Sequence, residues 1–203
     1  ITDEHNRKRA LDELPQSAAG KTIMTTEPKF IPQEAASIML ADQSEIKVRL
    51  IDCVGFMVQG ASGHMEGDEN RMVKTPWMEE EIPFVDAARI GTEKVIRDHA
   101  TIGIVVVTDG SIGELERDAY TEAEKTTITK LEEIGKPYVV VLNSMRPYSE
   151  ETRQLKDSLE KQYETRVVPV NCQQMHREDI LHIMSAILME FPVTRIDYFI
   201  PKW

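Results

Sequence analysis

Thr101-Ile102-Gly103-Ile104-Val105-Val106-Val107-Thr108-Asp109-Gly110 is the stretch on which the fold turns. From Ile102 to Thr108 it is a nearly continuous β-branched run, which predicts a strand buried on both faces, not one alternating between core and water. It stops at small polar residues, Asp109-Gly110-Ser111. A second such run, Tyr138-Val139-Val140-Val141-Leu142, follows a helical segment, Arg117 to Ile134, that is closed by Gly135 and then Pro137. Apolar strand, helix, apolar strand is the pattern of a parallel sheet with helices on its faces.

The same alternation continues in both directions. Downstream, Ser149 to Tyr163 reads as a charged, exposed helix. Arg166 to Val170 reads as a strand that Pro169 places nearer an edge. Ile180 to Phe191 reads as an apolar helix, and Ile196 to Trp203 as the opening of a further element. Upstream, Phe84, Ala87, Ala88, Gly91, Val95 and Ile96 recur at helical spacing and predict a helix from Pro83 to Ala100. Residues 53–80 are irregular, with Gly55, Gly60, Gly63, Gly67 and Pro76, and are too long for an ordinary connection; they read as a functional loop or an insertion. Before them, Ala35–Ala41 and Ile46–Asp52 flank turn chemistry at Asp42-Gln43-Ser44 and read as an antiparallel hairpin whose second strand enters the core. The expected fold class is therefore α/β: a mostly parallel sheet with one antiparallel hairpin, and no internal repeat or low-complexity tract.

The chain has 203 residues, 41% of them hydrophobic, enough for one domain with a real core. Its 35 Asp+Glu against 24 Lys+Arg give a net charge of −11, which argues against nucleic acid or an anionic membrane as a direct partner. Two cysteines, Cys53 and Cys172, make no disulfide framework and point to a reducing, cytoplasmic compartment. No apolar run is long enough for a membrane span, and the N-terminus has no apolar signal core. The first residue is Ile, so the chain is expected to begin inside a longer one.

In parallel sheets ligands bind at the carboxyl ends of the strands. Here those ends are Asp52-Cys53-Val54-Gly55, Thr108-Asp109-Gly110-Ser111, Asn143-Ser144-Met145-Arg146 and Asn171-Cys172-Gln173. An Asp at a strand end can hold Mg²⁺ through water, and a Gly three residues later lets a backbone N–H approach a γ-phosphate. As a turn, Asp-x-x-Gly is common, so Asp52 and Gly55 are weak evidence by themselves. Gly20-Lys21-Thr22 is not a phosphate loop: position 15 is Pro where that motif needs Gly, and no apolar strand precedes it. The neighbouring hydroxyls of Thr25 and Thr26 are suited to completing a Mg²⁺ shell and placing a water, although a plain Thr pair on a β-rich segment is the simpler reading. The order carries more than any piece. A Thr loop, a hairpin, Asp-x-x-Gly, and an Asn ending a later buried strand form the layout of a GTPase-like phosphate switch. In such switches Asn-Lys-x-Asp reads guanine, and here Arg146 replaces the carboxylate. Guanine's ring donors would then be unpaired, so adenine or loose base selection is expected. His64, His99, His176 and His182 lack metal-ligand spacing with any Cys, and Glu79-Glu80-Glu81 reads as a solvated run.

Lys21 to Pro32, Leu50 to Gly55, Thr75-Pro76-Trp77 with Ile82-Pro83-Phe84, Thr101-Ile102-Gly103, Thr108-Asp109-Gly110 and Asn143 to Tyr148 together resemble the stage IV sporulation protein A family, spore-coat morphogenetic ATPases of endospore-forming bacteria. The resemblance runs from about Asp12 to the C-terminus. It implies a three-layer P-loop NTPase fold of the translation-factor type. Residues 1–194 would be the ATPase domain and 195–203 the start of a following domain. The family's first strand and phosphate loop would precede Ile1. It also implies ATP and Mg²⁺ as cofactors, Thr25 and Thr26 as catalytic residues, Thr26 and Asp52 as metal ligands, and Gly55, Asn143 and Ser144 as nucleotide contacts. Hydrolysis would drive self-assembly into a homopolymer with other spore-coat proteins on the mother-cell side of the forespore membrane, helped by stage V sporulation protein M. The other reading is a structural coat-assembly module with an incomplete nucleotide site, meeting partners through the 56–82 insertion and the charged helices.

Overall fold

A computed structural model describes residues 29–191, apart from 41, 42, 44, 54, 62, 63, 67, 76 and 77. Thr25, Thr26 and residues 195–203 therefore lie outside the described residues, and with them the expected catalytic pair and the expected start of a second domain.

The hairpin is present and longer than its sequence announces. Strand β1 (Lys29–Met39) pairs antiparallel with β2 (Glu45–Asp52), from Met39 opposite Glu45 to Lys29 opposite Asp52. Its register slips between Ile31 and Ala36, the stretch that contains Pro32. A proline has no N–H for the ladder, and such residues sit at irregularities of edge strands. Residues 65–83 hold four two-residue strands in two small antiparallel pairs. β3 (Met65–Glu66) joins β4 (Glu69–Asn70), and β5 (Met72–Val73) joins β6 (Ile82–Pro83).

The expected helix from Pro83 to Ala100 divides. Helix α1 (Phe84–Lys94) passes into a π-helical turn, Val95–His99, closed by Ala100 N–H donating to Val95 O at 2.9 Å. After it the parallel unit appears as expected: β7 (Gly103–Thr108), α2 (Arg117–Ile134), β8 (Tyr138–Asn143), α3 (Glu150–Tyr163), β9 (Val167–Val170) and α4 (Arg177–Met189). The three strands form one parallel sheet in the order β7-β8-β9, so Pro169 does lie on an edge strand.

Period-two alternation divides β8 between two cores. Val140 and Leu142, with Val105, Val107 and Val167, pack under Ile128 and Leu131 of α2 and Leu159 of α3. Val139 and Val141, with Val168 and Val170, pack under Ile183, Met184 and Ile187 of α4; Leu40, Ile38, Ile46 and Val48 of the hairpin region join that second core. The result is three layers.

Two expectations need correcting. β2 reaches the core through Ile46 and Val48, but the hairpin is not part of the parallel sheet: it is its own two-stranded sheet, Leu50 is 52% exposed, and among the described residues no ladder joins β2 to β7. Nor is β7 buried on both faces. Val105 and Val107 are buried, but Ile104 is 37% and Val106 61% exposed, because α4 covers β8 and β9 and stops short of β7.

A buried polar link ties α2 to α3. Arg117 grips the Glu124 carboxylate with both guanidinium arms, and the Tyr163 hydroxyl donates to Glu124 Oε1 at 2.9 Å. Burial, then Glu124, pushes the Tyr163 hydroxyl well above its ordinary pKa, so it remains a donor at any working pH. The Glu124 side chain is only 3% exposed. Glu124→Ala would leave a guanidinium and a phenol without their acceptor and is expected to lower unfolding stability by about 2 kcal/mol. Urea unfolding checks this, and Glu124→Gln, which keeps one acceptor, should cost less.

Candidate functional site

The parallel register sets the site. Thr108, Asn143 and Val170 stand in one row at the carboxyl ends of β7, β8 and β9. Between β2 and the exposed face of β7, along the β7 edge that no described strand pairs, runs a groove of about 1180 Å³. Its lining includes Asp52, Gly55, Thr92, Thr108 and Asn143, so four residues singled out from three separate stretches of sequence meet at one opening. Asp52 is exposed at the end of β2, and its partner across the hairpin is Lys29, three residues after Thr26 in the sequence.

Gly55 has φ +79°, a left-handed backbone that favours glycine, and a Cβ built on it would meet nothing within 4 Å. The residue is therefore required for how it turns the chain and not for close packing. Its N–H donates to Thr92 Oγ1 on α1 at 3.1 Å. The donor expected to meet a γ-phosphate already has a partner.

Asn143 accepts from Cys172 N–H through Oδ1 at 3.0 Å, which fastens the loop after β8 to the loop after β9. With that oxygen engaged, the amide NH₂ is the end left to donate to a ligand. Ser144 was expected to touch the nucleotide; the structure buries it completely. Its hydroxyl is shared with Thr152 Oγ1 at 3.1 Å and accepts from Arg146 N–H at 3.0 Å. Thr152 Oγ1 in turn donates to Arg146 O at 2.9 Å. Ser144 thus shapes the Asn143–Arg146 loop from beneath. The loop is also held from the β7 side: Met145 N–H donates to Ser111 Oγ at 2.9 Å, and Ser111 N–H donates to Asp109 Oδ1 at 2.9 Å. Burial raises the Asp109 pKa, but hydrogen bonds from Ser111 and Ser144 outweigh it and hold the carboxyl below its ordinary value. Asp109 therefore works as a charged brace between loops.

Sequence reasoning missed Thr92 and Thr152. Thr92 sits among apolar helical positions and carries no motif. Ser149 caps α3 by accepting from Thr152 N–H at 3.2 Å, and a Ser before a helix marks that cap, but the bond uses main chain and gives no sign of the Thr152 hydroxyl.

Residues 1–192 match the family model described as Stage IV sporulation protein A, ATPase domain. The chain belongs to this family. It is 48% identical over all 203 residues to Stage IV sporulation protein A of Bacillus subtilis (strain 168), 50% identical to that of Clostridioides difficile (strain 630), and 47% identical to that of Bacillus anthracis. In each case the match covers the whole of this chain and 41% of the relative. No solved structure matches it. No helix among the described residues is long and apolar enough to cross a membrane.

The family's ATPase domain implies a nucleotide, and the described donors suit one. Among the described residues no three His, Cys, Asp or Glu side chains gather to cage a metal. Mg²⁺ does not need a cage: it is ordinarily held by one or two carboxylates together with phosphates and retained waters. The exposed Asp52 carboxylate at the groove is a donor of that kind. Where a guanine-reading loop carries its carboxylate, the family's loop here presents exposed Arg146.

Proposed function

We propose that this chain is the ATP-binding and ATP-hydrolysing domain of a spore-coat assembly protein. The observation that carries this reading is the convergence of Asp52, Gly55, Thr108 and Asn143 on the groove between β2 and β7. The groove is flanked by exposed apolar residues of both strands, Leu50 on one side and Ile104 and Val106 on the other. That is the profile of a place prepared for another apolar strand. The first strand and phosphate loop of a P-loop NTPase would fit there. They would deliver the backbone N–H groups and Lys that hold a triphosphate.

In this arrangement Asp52 and Thr26 would hold Mg²⁺, which would supply charge neutralisation to the bound phosphates. Thr25 and Thr26 place the water, and the Gly55 N–H reaches the γ-phosphate. The Asn143 amide donates to the purine, with Ser144 supporting its loop. The domain's contribution is positioning and fixed charge. Hydrolysis drives self-assembly into a homopolymer of the coat's base layer, on the cytoplasmic, mother-cell side of the forespore surface. Other coat proteins and stage V sporulation protein M are the partners.

Labelled ATP bound to the intact protein tests the reading. ATP is expected to compete much better than GTP, and turnover should yield ADP and phosphate. Clear GTP preference would overturn the base assignment. A second reading, a coat module with a silent site, draws on one observation, the Gly55 N–H already engaged by Thr92. Assembly without any nucleotide binding would establish that reading instead.

A further inference from the structure

Thr92 lies at a junction in the fold. Its hydroxyl holds the Gly55 N–H from 37 residues away in sequence, and its residue is 3% exposed. Its carbonyl accepts, together with that of Gly91, from Val95 N–H, where the α-helical ladder of α1 gives way to the π-helical turn. Such turns inside helices are frequent at functional sites. The π turn leads through Ala100 to β7, the strand whose far end carries Thr108 at the groove.

The Gly55 N–H is a single donor. A γ-phosphate and the Thr92 hydroxyl are competing acceptors for it, and the charged oxygen forms the stronger bond. A released helical threonine has a local fallback, the carbonyl one turn earlier. This chain uses that fallback three times in α2, where Thr121 Oγ1 donates to Arg117 O at 3.5 Å, Thr126 Oγ1 to Glu122 O at 2.9 Å and Thr127 Oγ1 to Ala123 O at 2.7 Å. The exchange therefore leaves no polar group stranded.

We propose that Thr92 is a nucleotide-state latch. It holds the Asp52–Gly55 turn in the γ-phosphate-free arrangement, and ATP, but not ADP, displaces it and so signals to α1 and the π turn. This rests on the ATP reading above. Thr92 is a positioning residue: it acts through Gly55 and touches no nucleotide.

The test uses the intact protein, with ATP-γ-S and ADP as probes. Thr92→Val keeps the shape and removes the acceptor. It is expected to raise the ratio of ATP-γ-S to ADP affinity about five-fold, the effect of one hydrogen bond that no longer competes. In the nucleotide-free protein it should also speed hydrogen exchange at the Gly55 amide. Thr92→Ser, which retains the hydroxyl, should restore both values. Should Thr92→Val fail to fold, the wild-type protein still decides the matter: amide resonances of Gly55 and Val95–His99 should shift with ATP-γ-S and not with ADP. An unchanged affinity ratio with ATP-γ-S still bound, or equal resonance shifts with both probes, would overturn the latch and leave the ATP reading standing. If wild type binds neither nucleotide, the ATP reading falls and the latch falls with it.

Discussion

Gly110→Ala is expected to destabilise the domain by about 3 kcal/mol or more, the sum of a left-handed backbone penalty and a collision with main chain. Gly110 has φ +86°, and a Cβ there would lie 2.8 Å from Arg117 N and 3.4 Å from Arg117 Cα. Those are the first backbone atoms of α2, which cannot swing aside as a side-chain tip can. Moving them would displace Arg117 and loosen its grip on Glu124. The Gly110 N–H also donates to Thr108 Oγ1 at 3.1 Å, so the strand end at the groove would shift too. Gly135 supplies the control. Its φ is +72°, with nothing within 4 Å of a built Cβ, so Gly135→Ala should cost only the backbone term, about 1 kcal/mol. Urea unfolding of the two variants, side by side, isolates the collision. Equal losses would mean that the turn at Gly110 relaxes and that the close approach carries no energy.

How far the fold was legible follows from which neighbours each element needs. The central strand β8 was readable because its run of five apolar residues is buried on both faces, as such a run predicts. β7 has the same composition, and composition cannot tell whether a strand lies beside it. Its exposure at Ile104 and Val106 is a tertiary fact. Pro32 hid the first half of β1, because proline argues against a paired strand unless the ladder is already irregular there. The π turn was invisible, since Val95 and Ile96 fit helical spacing whether the ladder closes at four residues or five. At the groove, Asn143 could be placed because parallel strands bring their carboxyl ends to one side; Asp52 and Gly55 reach the same groove from the separate antiparallel hairpin, which that rule does not cover. Their braces, Thr92 on Gly55 and Ser144 with Thr152 beneath the loop, were not legible, because a buried threonine in a helix looks like packing until its hydroxyl is traced.

The acidic balance of the chain bears on how such a site can hold a polyanion. At net −11 the domain's overall field opposes ATP, so binding must come from local donors. Oriented N–H groups and a metal suit this role, since they act at short range where the overall field matters little. The lining of the described groove includes the Asp52 carboxylate and the Asn143 amide, the groups proposed above for the metal and the base. That division predicts that residues outside the phosphate loop govern turnover more than affinity.

The Thr25→Ala, Thr26→Ala double variant is the sharpest test of that division, and in the intact protein it is expected to lower ATP turnover by about 100-fold or more while ATP still binds. Lys29, which follows Thr26 by three residues, pairs with Asp52, so the strand leading from the threonines runs alongside the expected metal carboxylate. In the proposed mechanism the two hydroxyls would complete the metal's shell and orient water, and neither would be needed to hold the triphosphate once N–H groups and a Lys do so. Losing them should therefore reduce kcat with little change in the dissociation constant. Loss of a metal ligand alone would be eased by raising Mg²⁺, whereas loss of the water-placing hydroxyl would not. Separate Thr25→Ala and Thr26→Ala variants, assayed across Mg²⁺ concentrations, assign the two roles. Unchanged turnover in the double variant would remove both threonines from the mechanism and leave Asp52 and Gly55 as the groove's remaining candidates for contact with the phosphates.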